Sequence, residues 1–586
     1  MSNKLILIEN EDQAREYLKN KEKFKDFKVI SFTFPVEKIL LENKIEFKTE
    51  DDYEDEVDYK NILHPSIEAS RKICEFLKLD YKKVALFDLH HSDISMTLSQ
   101  LKSYLRILKV IIKKDNPEEI IIFESQNFNY FNKEYVSRII KEIANEKINI
   151  LSYKPLSKNK NYLLKSIGFL QNKISETKLK LLKKEQDKIF FSGPKYLFDP
   201  TFKQLLEDNK VQLFRTHTNL QKGFFINKKY VPFYQFFGIE NKDEEEVLKE
   251  KIKEIIKKIK EIDFSKKFEF EEELGEIVEE YLIGIAEKKF VKDSFIINEI
   301  ENLIKKDKIT LVLLYNDVAV FEKTLSRMAK IHKIPTIVIQ HGMYGNFIGA
   351  LPVISDYILT YGSESEDWFI KNKTQKNKIK TIGCPRYDSF NVPLIKNNGK
   401  TILYIVDACN SNILVPEREL TKKRQKEILK SLFRVIKKFP DYKLMIKTRT
   451  EWDMNELPKI IAKQENFEGL DIVEGKVDNL RLIDSADIII NHFSTMGLES
   501  VIRGKPIICF SFKDLDKFNM YKDSEAINIV YTEKELEDTI KKIIEGKQDK
   551  EEKRMKFLKK HFCKLDGKAS QRAGEFIENI LKHKTR

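Results

Sequence analysis

Asn491-His492-Phe493-Ser494-Thr495-Met496-Gly497-Leu498-Glu499-Ser500-Val501-Ile502-Arg503-Gly504-Lys505-Pro506 joins a strand to a helix, and its reading decides how the chain is built. The residues just before it, Asp487 to Ile490, are mostly apolar and β-branched, as a parallel strand buried on both faces should be. Ser494 and Thr495 are good N-cap types for the helix that follows, and Gly504 then Pro506 stop it. Unpaired N–H groups and the positive dipole end at such a helix start favour an anion by roughly 0.3–1 kcal/mol per contact at an exposed site. Phosphate is a natural guest there. Glu499 lies four residues after Thr495 on the same helical face, where a carboxylate can accept hydrogen bonds from the two hydroxyls of a ribose. Together these residues outline a site for a nucleoside diphosphate. The plainer alternative is an ordinary βαβ unit with a capped helix.

Outward from this run, strands and helices alternate along most of the chain, which implies parallel sheets covered by helices on both faces. In the first part strands are expected at Leu5 to Ile8, Val29 to Phe32, Val84 to Phe87, Glu119 to Phe123, Ile148 to Ser152, Ile189 to Phe191 and Val211 to Phe214. Alternation stops between Glu244 and Lys308. There Leu248, Ile252, Ile255, Ile259 and Ile262 recur at helical spacing, a stripe that either packs within its own domain or pairs with a second copy of the chain. Strands resume at Thr310 to Leu314, Thr336 to Ile339, Tyr357 to Thr360 and Lys380 to Ile382, and again, past a polar break at Lys396 to Lys400, from Thr401 to Val406 onward. Further strands are expected at Lys443 to Lys447, Asp471 to Val473 and Ile507 to Phe510. The fold expected is α/β: two doubly wound Rossmann-like domains facing across a cleft. Residues 1–395 form an acceptor-side domain with a helical insertion near 243–308, 396–548 a nucleotide-binding domain, and 549–586 a basic helical tail.

Composition excludes several classes. The 586 residues are 41% hydrophobic and 11% aromatic, too apolar for a disordered chain, and no apolar run approaches the ~18 residues that span a bilayer. No secretory leader is legible at the start, which suggests a cytoplasmic protein. Five dispersed cysteines without Cys-x-x-Cys spacing argue against a disulfide framework or a zinc knuckle. The net charge of +13 sits on a chain that is 34% charged, so solvated lysine-rich faces explain it; an anionic membrane surface or acidic glycan, met by the tail with Lys553, Arg554, Lys556, Lys559 and Lys560, is the functional alternative. No nucleic-acid-binding signature is present.

Ligands of open α/β sheets lie beyond the carboxyl ends of the strands, so the remaining motifs are read there. Gln340-His341-Gly342 follows the strand Thr336 to Ile339, where an imidazole can reach the cleft and titrate near neutral pH as a general base. Asp317, after the preceding strand, is the second candidate base. Gly383-Cys384-Pro385-Arg386-Tyr387-Asp388 is a stiff turn whose Arg386 suits a phosphate or carboxylate, or an ion pair with Asp388. Arg449 and the loop Asp407 to Ser411, with Asn410 and Ser411, are candidates for the diphosphate. Tyr344 and His90 join Gln340 as acceptor-side candidates. Asp88-Leu89-His90-His91 has metal-capable types without a third ligand, and Asp514-Leu515-Asp516 is too short a match to signify.

Ser494, Thr495, Glu499, Gly504 and Pro506 fall where nucleotide-sugar glycosyltransferases of the GT-B architecture carry a Ser/Thr turn, a Glu and a Gly-x-Pro stop, and the chain resembles that family. The strand followed by His341-Gly342, and the Gly-x-Pro-Arg-x-Asp segment at Gly383 to Asp388, resemble polymer-forming glycerophosphotransferases, surface-polysaccharide transferases and sugar-nucleotide 2-epimerases. Those families often have His-Pro where this chain has Arg449-Thr450. The resemblance covers roughly Thr310 to Lys547. It implies transfer of a sugar, or a related phosphopolyol, from a nucleotide donor to a glycan or lipid-linked acceptor, with inversion. His341 acts as base, Ser494 and Thr495 hold the diphosphate, Glu499 holds the ribose, and no metal or other cofactor takes part. A 2-epimerase or a glycan-assembly scaffold are the alternatives.

Overall fold

The computed structural model describes residues 3–53, 61–123, 134–144, 148–153, 187–193, 198, 200–202, 211–217, 230–234, 242–343, 350–390, 399–407, 420–448, 456–475, 477–518, 521–522, 524–547 and 550–584. Among the described residues three parallel sheets form, each around runs of Ile, Val, Leu and Phe that are buried along nearly their whole length. The first sheet comprises Lys4–Ile8, Lys28–Ser31, Lys48–Thr49, Glu119–Phe123 and Asn149–Tyr153. Strands of the second are Asp187–Ser192, Val211–His217, Tyr230–Tyr234, Leu311–Leu314, Thr336–Ile339, Tyr357–Thr360 and Ile379–Thr381, and of the third Thr401–Ile405, Lys443–Lys447, Asp471–Val473, Ile488–Asn491, Ile507–Phe510 and Asn528–Val530. Numbered within its own sheet, each begins in the order 3-2-1-4-5, with a sixth and seventh strand extending the second sheet and a sixth the third. That is the doubly wound order, whose crevice opens beyond the carboxyl ends of strands 1 and 4.

The chain is thus α/β as expected, with one difference. Residues 1–395, expected to hold one domain, contain two sheets, because the chain leaves the first after Asn149–Tyr153 and starts another at Asp187. The helical stretch is present as Lys242–Lys260, Phe264–Phe268, Gly275–Lys288 and Phe290–Asp307, and Leu248, Ile252, Ile255 and Ile259 of its stripe are buried in the core shared by the first two sheets. The strand expected at Val84 to Phe87 is not a member of any parallel sheet. Lys82 and Lys83 adopt left-handed backbone, turning Asp80–Tyr81 onto Val84–Ala85 as a small antiparallel pair, and Leu86–Leu89 is a short helix.

Two further contacts set the arrangement. The C-terminal stretch is no free tail: helix Ala569–Lys584 buries Ala573, Ile577 and Leu581 against the second sheet, and helix Glu551–Phe562 packs Phe557, Leu558 and Phe562 beside residues of the third. Gly362 lies so close to His561 that a Cβ there would meet its backbone at 2.4 Å. The first unit reaches the third, with Phe34 entering the third sheet's core and Lys422 buried between Glu37 and Glu50. Burial pushes the Glu50 carboxyl up to about 8, and the two acids hold the Lys422 ammonium well above its ordinary value despite its burial. Among the described residues no helix is long and apolar enough to cross a membrane.

Candidate functional site

Strand Thr336–Ile339 delivers His341 just past its carboxyl end. Its Nδ1 donates to the Tyr315 carbonyl at 2.8 Å, and the Tyr315 ring meets the imidazole edge-on at 5.5 Å. That bond fixes the tautomer, leaving Nε2 as the basic nitrogen. Burial lowers the His341 pKa and the carbonyl pulls only partly back, so the ring is neutral at pH 7. A neutral imidazole with an oriented tautomer is the form a general base requires. A Cβ on Gly342 would meet nothing within 4 Å among the described residues.

Its neighbours behave differently from expectation. Asp317 is not placed to act as a base: its Oδ2 accepts the N–H groups of Ile354 and Ser355 at 2.8 and 2.7 Å, and the carboxyl is buried, clamping one loop to another. Gln340, expected on the acceptor side, spends its amide internally, donating to Gly342 O and Ser365 Oγ and accepting from Tyr361 N. It shapes the turn that carries His341. His90 is also withdrawn, its Nε2 2.7 Å from Asp293 and its Nδ1 3.4 Å from Asp93. Burial opposes the charged ring, yet these hydrogen bonds prevail and raise its pKa to about 9, making a buried ion pair that ties the first unit to the helical block. Asp88 is taken by Lys323 and Arg327, and Asp514 by Arg424.

The opposite wall comes from the third sheet. Helix Thr495–Ile502 follows strand Ile488–Asn491 directly, with Ser494 as N-cap, its hydroxyl accepting from Met496 N at 3.4 Å. Gly497 lets this helix sit on the strand end, for a Cβ would stand 2.0 Å from Asn491 Nδ2 and 2.5 Å from Tyr521 Oη. Along the carboxyl ends of three strands, Thr448 Oγ1, His492 Nε2 and Ser511 Oγ are buried and make no hydrogen bond among the described residues, while the buried Asn491 amide faces the Tyr521 hydroxyl. Leaving such groups unmade costs roughly 1–3 kcal/mol each, so their concentration at one sheet edge marks a surface built to meet a polar ligand. Lys447 ends the neighbouring strand, only 8% exposed, donating to the carbonyls of Thr448 and Gly475. Burial lowers its pKa. It is a cation beside the crevice that sequence reading passed over, although a charged residue closing an apolar strand was the visible signal.

The two walls meet. Met343, two residues past His341, packs against the cluster that contains Met496 and Leu498 of the phosphate-type helix together with Tyr361, Cys384 and Tyr387 of the second unit. Arg386, from the turn Pro385–Phe390, reaches across to Glu499, Nη2 lying 2.6 Å from Oε1. Asp388, the alternative partner for Arg386 in the sequence, accepts from Ala569 and Ser570 N at the start of the last helix. Glu499 is fully buried and also accepts from Asn479 at 3.4 Å; burial pushes its carboxyl up, and Arg386 and Asn479 pull against that rise. Asn479 carried no signal in the sequence. The expectations at Tyr344, Asn410, Ser411 and Arg449 lie outside the described residues.

Residues 453–579 match the family model of CDP-Glycerol:Poly(glycerophosphate) glycerophosphotransferase, which supports the relationship read from the sequence. No curated protein matches the chain. Solved structures similar to it include the UDP-GlcNAc 2-epimerase of Neisseria meningitidis bound to UDP-GlcNAc, at 15% identity and a TM-score of 0.42 over 68% of this chain and 100% of that one. The UDP-GlcNAc 2-epimerase of Methanocaldococcus jannaschii gives 16% and 0.42 over 68% and 99%. The wall teichoic acid polymerase TagF soaked with CDPG gives 16% and 0.39 over 72% and 96%.

Proposed function

We propose that the protein is a nucleotide-dependent transferase of surface-polymer assembly, which moves a polyol phosphate from a cytidine-diphosphate-linked donor to a hydroxyl of the polymer. The observation that supports this reading is an oriented His341 whose neighbour Met343 packs against the cluster holding Met496 of the helix start, beside buried polar groups that make no hydrogen bond among the described residues. The family match over 453–579 favours polyol phosphate over the sugar transfer first suggested by the sequence. His341 Nε2 takes the acceptor hydroxyl's proton as the oxygen attacks the phosphorus of the transferred group. The bond from that phosphorus to the oxygen of the nucleotide's phosphate breaks, and the charge that develops on the departing CMP falls at the start of helix Thr495–Ile502. Lys447 supplies a nearby positive charge. Glu499, steadied by Arg386 and Asn479, accepts from the ribose hydroxyls.

The test is product analysis with purified protein, a CDP-linked polyol donor and a polymer acceptor. Release of CMP with growth of the polymer supports the reading. Release of a nucleoside diphosphate from a sugar donor would replace it with glycosyl transfer, and isomerisation of a UDP-sugar without acceptor would replace it with epimerisation.

A further inference from the structure

A cleft of about 900 Å³ lies away from the third sheet, between the first unit's helices Leu63–Phe76 and His91–Asp115 and the second unit's helix Val320–Ile331 with the segments 351–353 and 371–378. Six cationic side chains line it: Arg71, Lys323, Lys330, Lys371, Lys373 and Lys378. Among the described residues two carboxylates do, and both are engaged. Glu68 pairs with Arg71 at 2.5 Å, while Asp88 serves Lys323 at 3.1 Å and Arg327 at 2.8 Å. Among the described residues no carboxylate lies within ion-pair distance of Lys330, Lys371, Lys373 or Lys378, and Lys378 donates only to the Ser355 carbonyl at 3.0 Å. Lys323 sits at the floor, 2% exposed. His91 lines the same cleft, and burial first, then the nearby Lys323 charge, lowers its pKa to about 4.

Four lysines around one concavity that make no ion pair among the described residues, Lys373 acting on Glu68 only at longer range, repel each other and concentrate anions. We propose that this cleft binds a ligand bearing two or more phosphate groups. One phosphate monoester carries about −1.5 to −2 at pH 7, so two are needed to match four ammonium groups. The volume agrees, since small-molecule sites run to roughly 300–1,000 Å³ and a single orthophosphate would leave most of it unfilled. This assignment is independent of the nucleotide site, with which it shares no residue.

The experiment is calorimetric titration of the full chain with tripolyphosphate, and in a second arm with a short glycerol phosphodiester oligomer, at fixed ionic strength. Wild type, Lys371→Ala/Lys373→Ala and the donor-site variant Glu499→Ala are compared. The expected result is binding by wild type and Glu499→Ala, at least tenfold weaker in the double lysine variant, with the ligand-free melting temperature and the response to CDP unchanged there. The arm that binds tighter tells a free polyphosphate from a polymer segment. No binding in either arm, equal binding in the double variant, or loss in Glu499→Ala instead, would overturn the assignment.

Discussion

At the residue scale the reading turns on His341. Its depressed pKa and its bond to the Tyr315 carbonyl give a ring that is neutral across the physiological range. A base works only when unprotonated, so kcat/KM should fall on the acid side with a midpoint below the ordinary histidine value. His341→Ala should lower turnover by roughly 10²–10⁴-fold, about 3–5.5 kcal/mol of barrier, and abolish the acid limb while CDP still binds. Turnover within a few-fold of wild type, or an unchanged pH profile, would remove His341 from the base role. The residue scale also shows where local reading stops. Asp317 and His341 follow adjacent strands and look equivalent in sequence; burial and the amides of Ile354 and Ser355 withdraw one of them, and those amides come from a loop 37 and 38 residues further on. Likewise Arg386 has an acid two residues away yet pairs with Glu499, because Asp388 caps a helix from the end of the chain.

At the element scale, Gly497 is the tightest point of the donor wall. In Gly497→Ala the new Cβ must displace Asn491 or Tyr521, pushing helix Thr495–Ile502 off the strand end. A loss of about 1–3 kcal/mol of stability is expected, together with weakened CDP binding, read by urea unfolding and titration. Normal affinity in that variant would show that the helix does not hold the nucleotide. The strands of the three sheets were legible where continuous runs such as Leu311–Leu314 or Ile507–Phe510 announce burial on both faces. Some edge elements were not, although Asp471–Val473 was. Lys48–Thr49 is too short to show a pattern, and Tyr230–Tyr234 carries Pro232, which an edge strand tolerates but which reads as a break. Val84 to Phe87 failed for the opposite reason: its apolar run serves one strand of a small antiparallel pair and a short helix, both against the core.

At the scale of the whole molecule, a three-sheet chain was read as two domains because strand–helix alternation runs on unchanged from the first sheet into the second, and only pairing reveals the break. The first unit then proves to be a strut: His90 ties it to Asp293, and Lys422 of the third unit is buried between its Glu37 and Glu50. Lys422→Ala would strand two buried acids at that junction. Breaking a buried pair of this kind typically costs about 3–5 kcal/mol, so thermal unfolding should shift down clearly, whereas a shift of under about 1 kcal/mol would mean the junction contributes little. The central claim concerns the other junction, where we propose that the second and third units enclose a nucleotide. Its most direct test is calorimetric titration of CDP into wild type and Glu499→Ala. The account predicts one site in the wild type, and in the variant an affinity lower by about 1.5–3 kcal/mol, roughly ten- to a hundredfold or somewhat more in Kd, without loss of fold. No CDP binding by the wild type, or equal binding by both proteins, would contradict it.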